Sequence, residues 1–169
     1  MTIRAAAAAL FCVLALFGAG TAAAAREPSG SIVSFGRYDT RIAGKPEKAE
    51  RTASGVVQPV DGHKLLEQTD LIVGQPGNTF GIELKLENFP SGTASLTIRT
   101  THPPLTNPKT GKTTTVSEYD WTSATGENTY FCFSFDDGWE IAEGVWTMQV
   151  LYEGKVIAEK KFKVVVPIN

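Results

Sequence analysis

Thr79-Phe80-Gly81-Ile82-Glu83-Leu84-Lys85-Leu86 is the stretch that decides the fold. Phe80, Ile82, Leu84 and Leu86 recur at every second residue, with Gly81, Glu83 and Lys85 between them. Successive side chains of a strand point to opposite faces, so this spacing predicts a β-strand with one buried and one wet face. Asn88-Phe89-Pro90-Ser91-Gly92 then breaks the pattern, and Ala94 to Thr101 resumes it with Leu96 and Ile98 against Thr97 and Arg99. The two segments are expected to lie as antiparallel neighbours.

The same period governs the last forty residues. Phe131, Phe133 and Phe135 share one face of Thr129 to Phe135, and Trp146, Met148, Val150 and Tyr152 alternate along the next segment. Glu153-Gly154 is a two-residue turn signal. Lys155 to Val166 returns with Ala158, Phe162, Val164 and Val166 facing one way and Glu159, Lys161 and Lys163 the other. This predicts a hairpin. Ser31–Tyr38, Ala53–Val60, Leu65–Val73 and Thr113–Trp121 read as further strands, and Gly44 to Arg51 as a charged loop. The total is about eight or nine strands, with no 3.6-residue apolar period after residue 25. Many short strands separated by turn residues predict an all-β antiparallel sandwich of the immunoglobulin-like kind.

Residues 1–25 read differently. Arg4 supplies a positive start, Ala5 to Gly18 is apolar, and Thr21-Ala22-Ala23-Ala24-Ala25 is a run of small residues. That order is the pattern of a secretory signal peptide, with cleavage expected near Ala25. The apolar run is shorter than the ~20 residues a membrane-spanning helix needs, so no retained membrane span is expected. Cys12 interrupts the run rather than ending it, which argues against lipidation. The expected organisation is therefore a leader over 1–25 and a single sandwich domain over 26–169, delivered to the periplasm or secreted.

Charge and cysteines narrow the function classes. The chain has 16 basic and 18 acidic residues, and losing Arg4 with the leader moves the net charge from −2 to −3. A nucleic-acid binder carries a basic footprint, which this balance lacks. Cys132 is the one cysteine after residue 25. It has no partner for an internal disulfide, so the core must hold by burial.

Several short motifs occur in a fixed order. They are Gly77-Asn78-Thr79-Phe80-Gly81-Ile82, Thr101-His102-Pro103-Pro104 and Phe135-Asp136-Asp137-Gly138-Trp139-Glu140, followed by Gly144-Val145-Trp146-Thr147 and Lys161-Phe162-Lys163-Val164-Val165. As an ordered set over roughly Ser31 to Val166 they resemble the bacterial domain-of-unknown-function family 3859. The resemblance implies an extracytoplasmic, single-domain, immunoglobulin-like protein. It carries no catalytic positions to transfer.

The chemistry available to the chain is sparse. Nucleophilic catalysis needs a nucleophile with a base beside it, usually histidine, and the only histidines are His63 and His102. No Gly-x-Ser-x-Gly elbow is present. Cys132 lies between Phe131 and Phe133 and reads as small apolar filler. Two histidines and one thiol far apart match no zinc spacing. Asp136, Asp137, Glu140 and Glu143 read as a solvated acidic turn, without the alternating oxygens of a calcium loop. Gly111-Lys112-Thr113 echoes a phosphate-binding loop, but Thr106 stands where that motif needs glycine.

The binding candidate is Thr101 to Lys112, the longest irregular stretch. Pro103, Pro104 and Pro108 restrict φ and remove amide donors, which predicts a stiff, exposed loop presenting His102, Pro103, Pro104 and Leu105. The expected function is a non-catalytic module without cofactor, binding an unidentified protein or envelope component. A carbohydrate-binding module is the alternative, resting on Tyr119, Trp121 and Trp139 as an exposed aromatic row. A small hydrolase or thiol enzyme is the remaining rival.

Overall fold

The computed structural model describes residues 26–167. The expected leader and its cleavage point lie outside the described residues. Eleven strands follow in order: β1 (Ser29–Ile42), β2 (Glu47–Lys48), β3 (Val56–Val57), β4 (Val60–Glu67), β5 (Leu71–Val73), β6 (Thr79–Glu87), β7 (Thr93–Thr106), β8 (Thr113–Ala124), β9 (Asn128–Ser134), β10 (Gly144–Tyr152) and β11 (Lys155–Val165). One 3-10 turn spans Gly138–Glu140. Three of the strands have two or three residues, which accounts for the excess over the expected eight or nine.

The strands form two layers. One sheet has the order β4-β1-β6-β9 and the other β5-β11-β10-β7-β8, with β2 and β3 making a separate small ribbon. Pairing is antiparallel throughout except between β11 and β5. Between the sheets lie Phe80, Ile82 and Leu84 of β6, Leu96 and Ile98 of β7, Trp146, Met148 and Val150 of β10, and Phe162 and Val164 of β11. Burying a side chain of this size contributes about 1.5–3 kcal/mol. With Cys132 unpaired, that burial is what holds the layers together.

The hairpin β10–β11 forms as the sequence predicts. Its turn residues Glu153 and Gly154 have φ of 49° and 77°, the left-handed pair that a two-residue turn requires. A slip in register between Val150 and Leu151 lets both of these neighbours be buried.

Four expectations are corrected. The segments Thr79–Leu86 and Ala94–Thr101 are not neighbours: β6 and β7 belong to different sheets. Residues 88–92 carry the chain from one layer to the other, with Phe89 packed against Tyr152. Ala53–Val60 is strand only at Val56–Val57 and at Val60, the first residue of β4. Leu65–Val73 is split at residues 68–70, its halves joining opposite sheets as β4 and β5. Val166 lies just past β11 and is exposed.

The second face of β6 is also drier than its alternation suggests. Gly36 of β1 pairs directly with Gly81 of β6, so no side chain stands between the outer strands at that level. Tyr38 fills the space with His63 of β4 and Tyr130 of β9, which stack at 4.2 Å and 7° although two strands separate them in the sheet. Tyr38 is buried as a result. Glu83 beneath accepts from Ser34 and Asn128.

Candidate functional site

The sequence-predicted loop is mostly strand. β7 runs on to Thr106, and its register against β8 slips between Thr101 and Leu105. Such a bulge is where a sheet tolerates proline, and it absorbs Pro103 and Pro104. It also resets the phase, so that His102 and Leu105, three residues apart, both turn inward and are buried. Pro103 is half-buried and packs towards Gly144. Pro104 alone of the four is exposed. The expectation of an exposed loop is therefore corrected: residues 107–112 make the turn, and the tract before them is strand, with His102 and Leu105 in the core.

His102 holds a defined hydrogen-bond chain. Its Nδ1 lies 2.8 Å from the Pro103 carbonyl and its Nε2 3.1 Å from Ser117 Oγ. A carbonyl only accepts, so Nδ1 carries the proton and the Ser117 hydroxyl donates to Nε2. Ser117 Oγ in turn accepts the Ala53 amide at 3.0 Å, and Asn107 Nδ2 donates to the Ala53 carbonyl at 3.1 Å. These bonds pin the segment Ala43–Pro59, a strap between β1 and β4, onto β8. Arg51 adds a fork to Glu118 and Asp120, at 2.7 and 2.8 Å. Exposed pairs of that kind contribute ~0–1 kcal/mol, so the buried chain is the main fastening.

Burial pushes the His102 pKa down, partly offset by its bond to the Pro103 carbonyl. The folded state thus favours the neutral ring. This contribution to stability is complete above the unfolded value near 6.5 and is lost as pH falls from there towards the lower folded value. Asp136 and Glu140 are raised by burial and work in the opposite sense at lower pH. The test is a comparison of slopes. Unfolding free energy of wild type is expected to fall between about pH 7 and 5 more steeply than that of His102→Gln. Parallel curves would show that His102 is not the titrating pin.

The strap, β8 and β9 enclose a cleft of about 390 Å³. β8 contributes Ser117, Tyr119 and Trp121, β9 contributes Tyr130 to Ser134, and the strap contributes Thr52 to Ser54 and Val56 to Pro59. The volume lies within the ~300–1,000 Å³ usual for ligand pockets. Tyr119, Tyr130 and Cys132 converge in the wall, and burial pushes the ionisation of all three upward, the thiol to about 11. All three therefore stay protonated at neutral pH. The Tyr130 hydroxyl is buried with no hydrogen-bond partner of ordinary geometry. Its neighbour, the Cys132 thiol, is only a weak one. Leaving such a group unsatisfied costs about 1–3 kcal/mol. Asp136 and Glu140 complete the lining.

Residues 28–164 match the sequence model described as Domain of unknown function (DUF3859). The chain belongs to the DUF3859 family. A crystal structure of an immunoglobulin-like protein from Pseudomonas aeruginosa is similar in fold. Its TM-score is 0.55 and its identity 23%, over 75% of this chain and 97% of that one. Looser likenesses involve the DNA glycosylase AlkC of Pseudomonas fluorescens bound to abasic DNA (TM-score 0.36, 12% identity, 56% of this chain, 27% of that one). Another is a beta-D-glucoside glucohydrolase from Trichoderma reesei (TM-score 0.32, 14% identity, 82% of this chain, 19% of that one). Neither reaches a level that bears on this chain. No curated protein matches it in sequence. The fold is an immunoglobulin-like antiparallel sandwich.

In this DUF3859 domain the remaining candidates are dispersed. Of His63, His102 and Cys132, only Cys132 lines the cleft. Tyr119 and Trp121 share the inward face of β8 and are half-buried, whereas Trp139 sits in the 3-10 turn and packs on the core. The exposed aromatic row is not formed. The acidic turn is only partly solvated. Glu140 is buried, and its Oε2 accepts the amides of Asp136 and Asp137 at 2.9 and 3.0 Å. Sequence reading missed the cleft because the strap that closes it has no periodic signal.

Proposed function

We propose that this chain is a non-catalytic binding module, acting in the periplasm or outside the cell, that engages a protein or envelope component through the cleft between β8, β9 and the strap. The observation that carries this reading is the cleft itself, about 390 Å³ in volume and walled by the aromatic and polar side chains of β8, β9 and the strap. The non-catalytic part is supported by the chemistry nearby. The Ser117 hydroxyl already donates to His102 and accepts from Ala53, and both side chains are buried. The Cys132 thiol is held protonated, far from the lowered pKa of a reactive cysteine.

Capture from envelope extract tests the proposal. Thr40→Trp places an indole in the cleft lining, while Lys161→Trp, on an exposed β11 position, is the control. Wild type and the control are expected to retain the same partners, and the cleft variant to lose them while melting within a few degrees of wild type. Identical partner lists for all three proteins would refute the cleft as the binding face. Retention of polysaccharide alone would favour the carbohydrate reading, for which Tyr119 and Trp121 are placed.

A further inference from the structure

The way β9 borders the cleft narrows the partner. Tyr130, Phe131, Cys132, Phe133 and Ser134 all line it. Alternate residues of a strand face opposite ways, so five in a row can be touched only from the strand's edge. β9 is the outer strand of its sheet, with β6 on its other side. Main-chain N–H and C=O groups also alternate in direction along an antiparallel strand. Phe135 gives its amide to the Asn78 carbonyl and accepts the Gly77 amide, both just before β6. Counting back by two turns the main-chain groups of Phe133 and Phe131 to β6 and those of Ser134, Cys132 and Tyr130 to the cleft. An unpaired row of this kind is a template for another strand, and here it is recessed behind the strap.

Resting on the binding reading above, we propose that the occupant of the cleft is an extended peptide segment, neutral or positively charged, whose backbone pairs with the free edge of β9. The five edge residues span about 14 Å, enough for a short peptide strand with its flanks free. Strand addition to a sheet edge draws affinity from main-chain bonds and specificity from side-chain pockets. The phenol of Tyr119 offers a donor to peptide carbonyls or polar side chains, and Val57, Pro59 and Trp121 supply apolar wall. Charge selects against acidic sequences. Asp136 and Glu140 line the cleft, and no lysine, arginine or histidine does so among the described residues.

The test uses displayed random heptapeptides selected on the protein. Enriched peptides are expected to carry no net negative charge and to bind at least 10-fold more weakly to Thr40→Trp. N-methylation at alternate backbone amides of a selected peptide is expected to weaken binding 10-fold or more, and at the intervening amides far less. Cys132→Pro removes one cleft-facing amide donor on an edge strand, where proline is tolerated. It is expected to lose binding that Cys132→Ala keeps. Should Cys132→Pro not fold, the N-methyl scan decides alone. Absence of enrichment, an acidic consensus, or indifference to N-methylation would overturn strand addition. If capture from envelope extract then remained sensitive to Thr40→Trp, the binding module would stand and only the peptide would fall. If peptides bound Thr40→Trp as well as wild type, both readings would fail.

Discussion

Replacing Trp146 with alanine is expected to cost about 3–5 kcal/mol of unfolding free energy. The indole has no exposure to solvent. It meets Phe80 edge-on at 5.8 Å, Phe133 at 4.8 Å and Phe135 at 5.6 Å, and lies 5.0 Å from the His102 ring. These rings come from β6, β7, β9 and the segment after it, so Trp146 joins both sheets. Its Nε1 donates to the Ala142 carbonyl at 2.9 Å, and alanine would leave that carbonyl without its donor. A domain has only ~5–15 kcal/mol of net stability, so this one change consumes much of it. Urea unfolding followed by tryptophan fluorescence or circular dichroism would measure the loss. A cost below about 1 kcal/mol would show that the ring is not the centre of the core. Trp146→Phe keeps the ring packing but not the hydrogen bond, and should recover most of the stability.

Gly36→Ala carries the second large expectation, a loss of about 2–6 kcal/mol from two causes that add. Gly36 has φ of +137°, a region that costs an L-residue ~1–3 kcal/mol. A Cβ there would also run into the Glu67 carbonyl, with the Thr69 amide at 2.8 Å, and overpacking of this kind costs ~1–3 kcal/mol more. The clash is with backbone, which cannot swing aside as a side chain would. Gly44→Ala separates the two causes. Its φ is +68°, but nothing lies within 4 Å of the added carbon, so only the conformational cost of ~1–2 kcal/mol remains. Equal losses at the two positions in equilibrium unfolding would remove the steric half of this explanation. A larger loss at Gly36 should also disturb the His63–Tyr130 stack, because Gly36 and Gly81 clear the ground beneath it.

Much of the architecture is legible in the residues. Phe80, Ile82, Leu84 and Leu86 are all buried, as their spacing demands. Trp146, Met148 and Val150 face the core as read, and the Glu153-Gly154 turn sits where the hairpin needs it. Phe131 and Phe135 are buried, and Phe133 packs against Phe135. The readings that failed share a cause. Pro103 and Pro104 suggest a loop because proline cannot feed a ladder. The bulge between Thr101 and Leu105 supplies a place in the sheet where no ladder bond is required. The strap likewise looks like a strand at Ala53–Val60 because it is apolar, but within it only Val56–Val57 pairs, with β2, and the Ala53 backbone is held by the side chains of Ser117 and Asn107.

The chain's alternation of apolar and polar residues was enough to set the fold class, since a period of two tells which side chains turn inward and needs no knowledge of what they meet. It could not say which sheet a strand would join. β6 and β7 share a pattern and a short connection, yet lie in opposite layers, because burial against the facing sheet satisfies the same residues as pairing side by side. The cleft was beyond it for the same reason. Ala53 and Ser117 are far apart along the chain, as are β8 and the strap from β9's edge residues Tyr130 and Cys132, and only the packing of the strap onto β8 and β9 closes the space among them into a cleft.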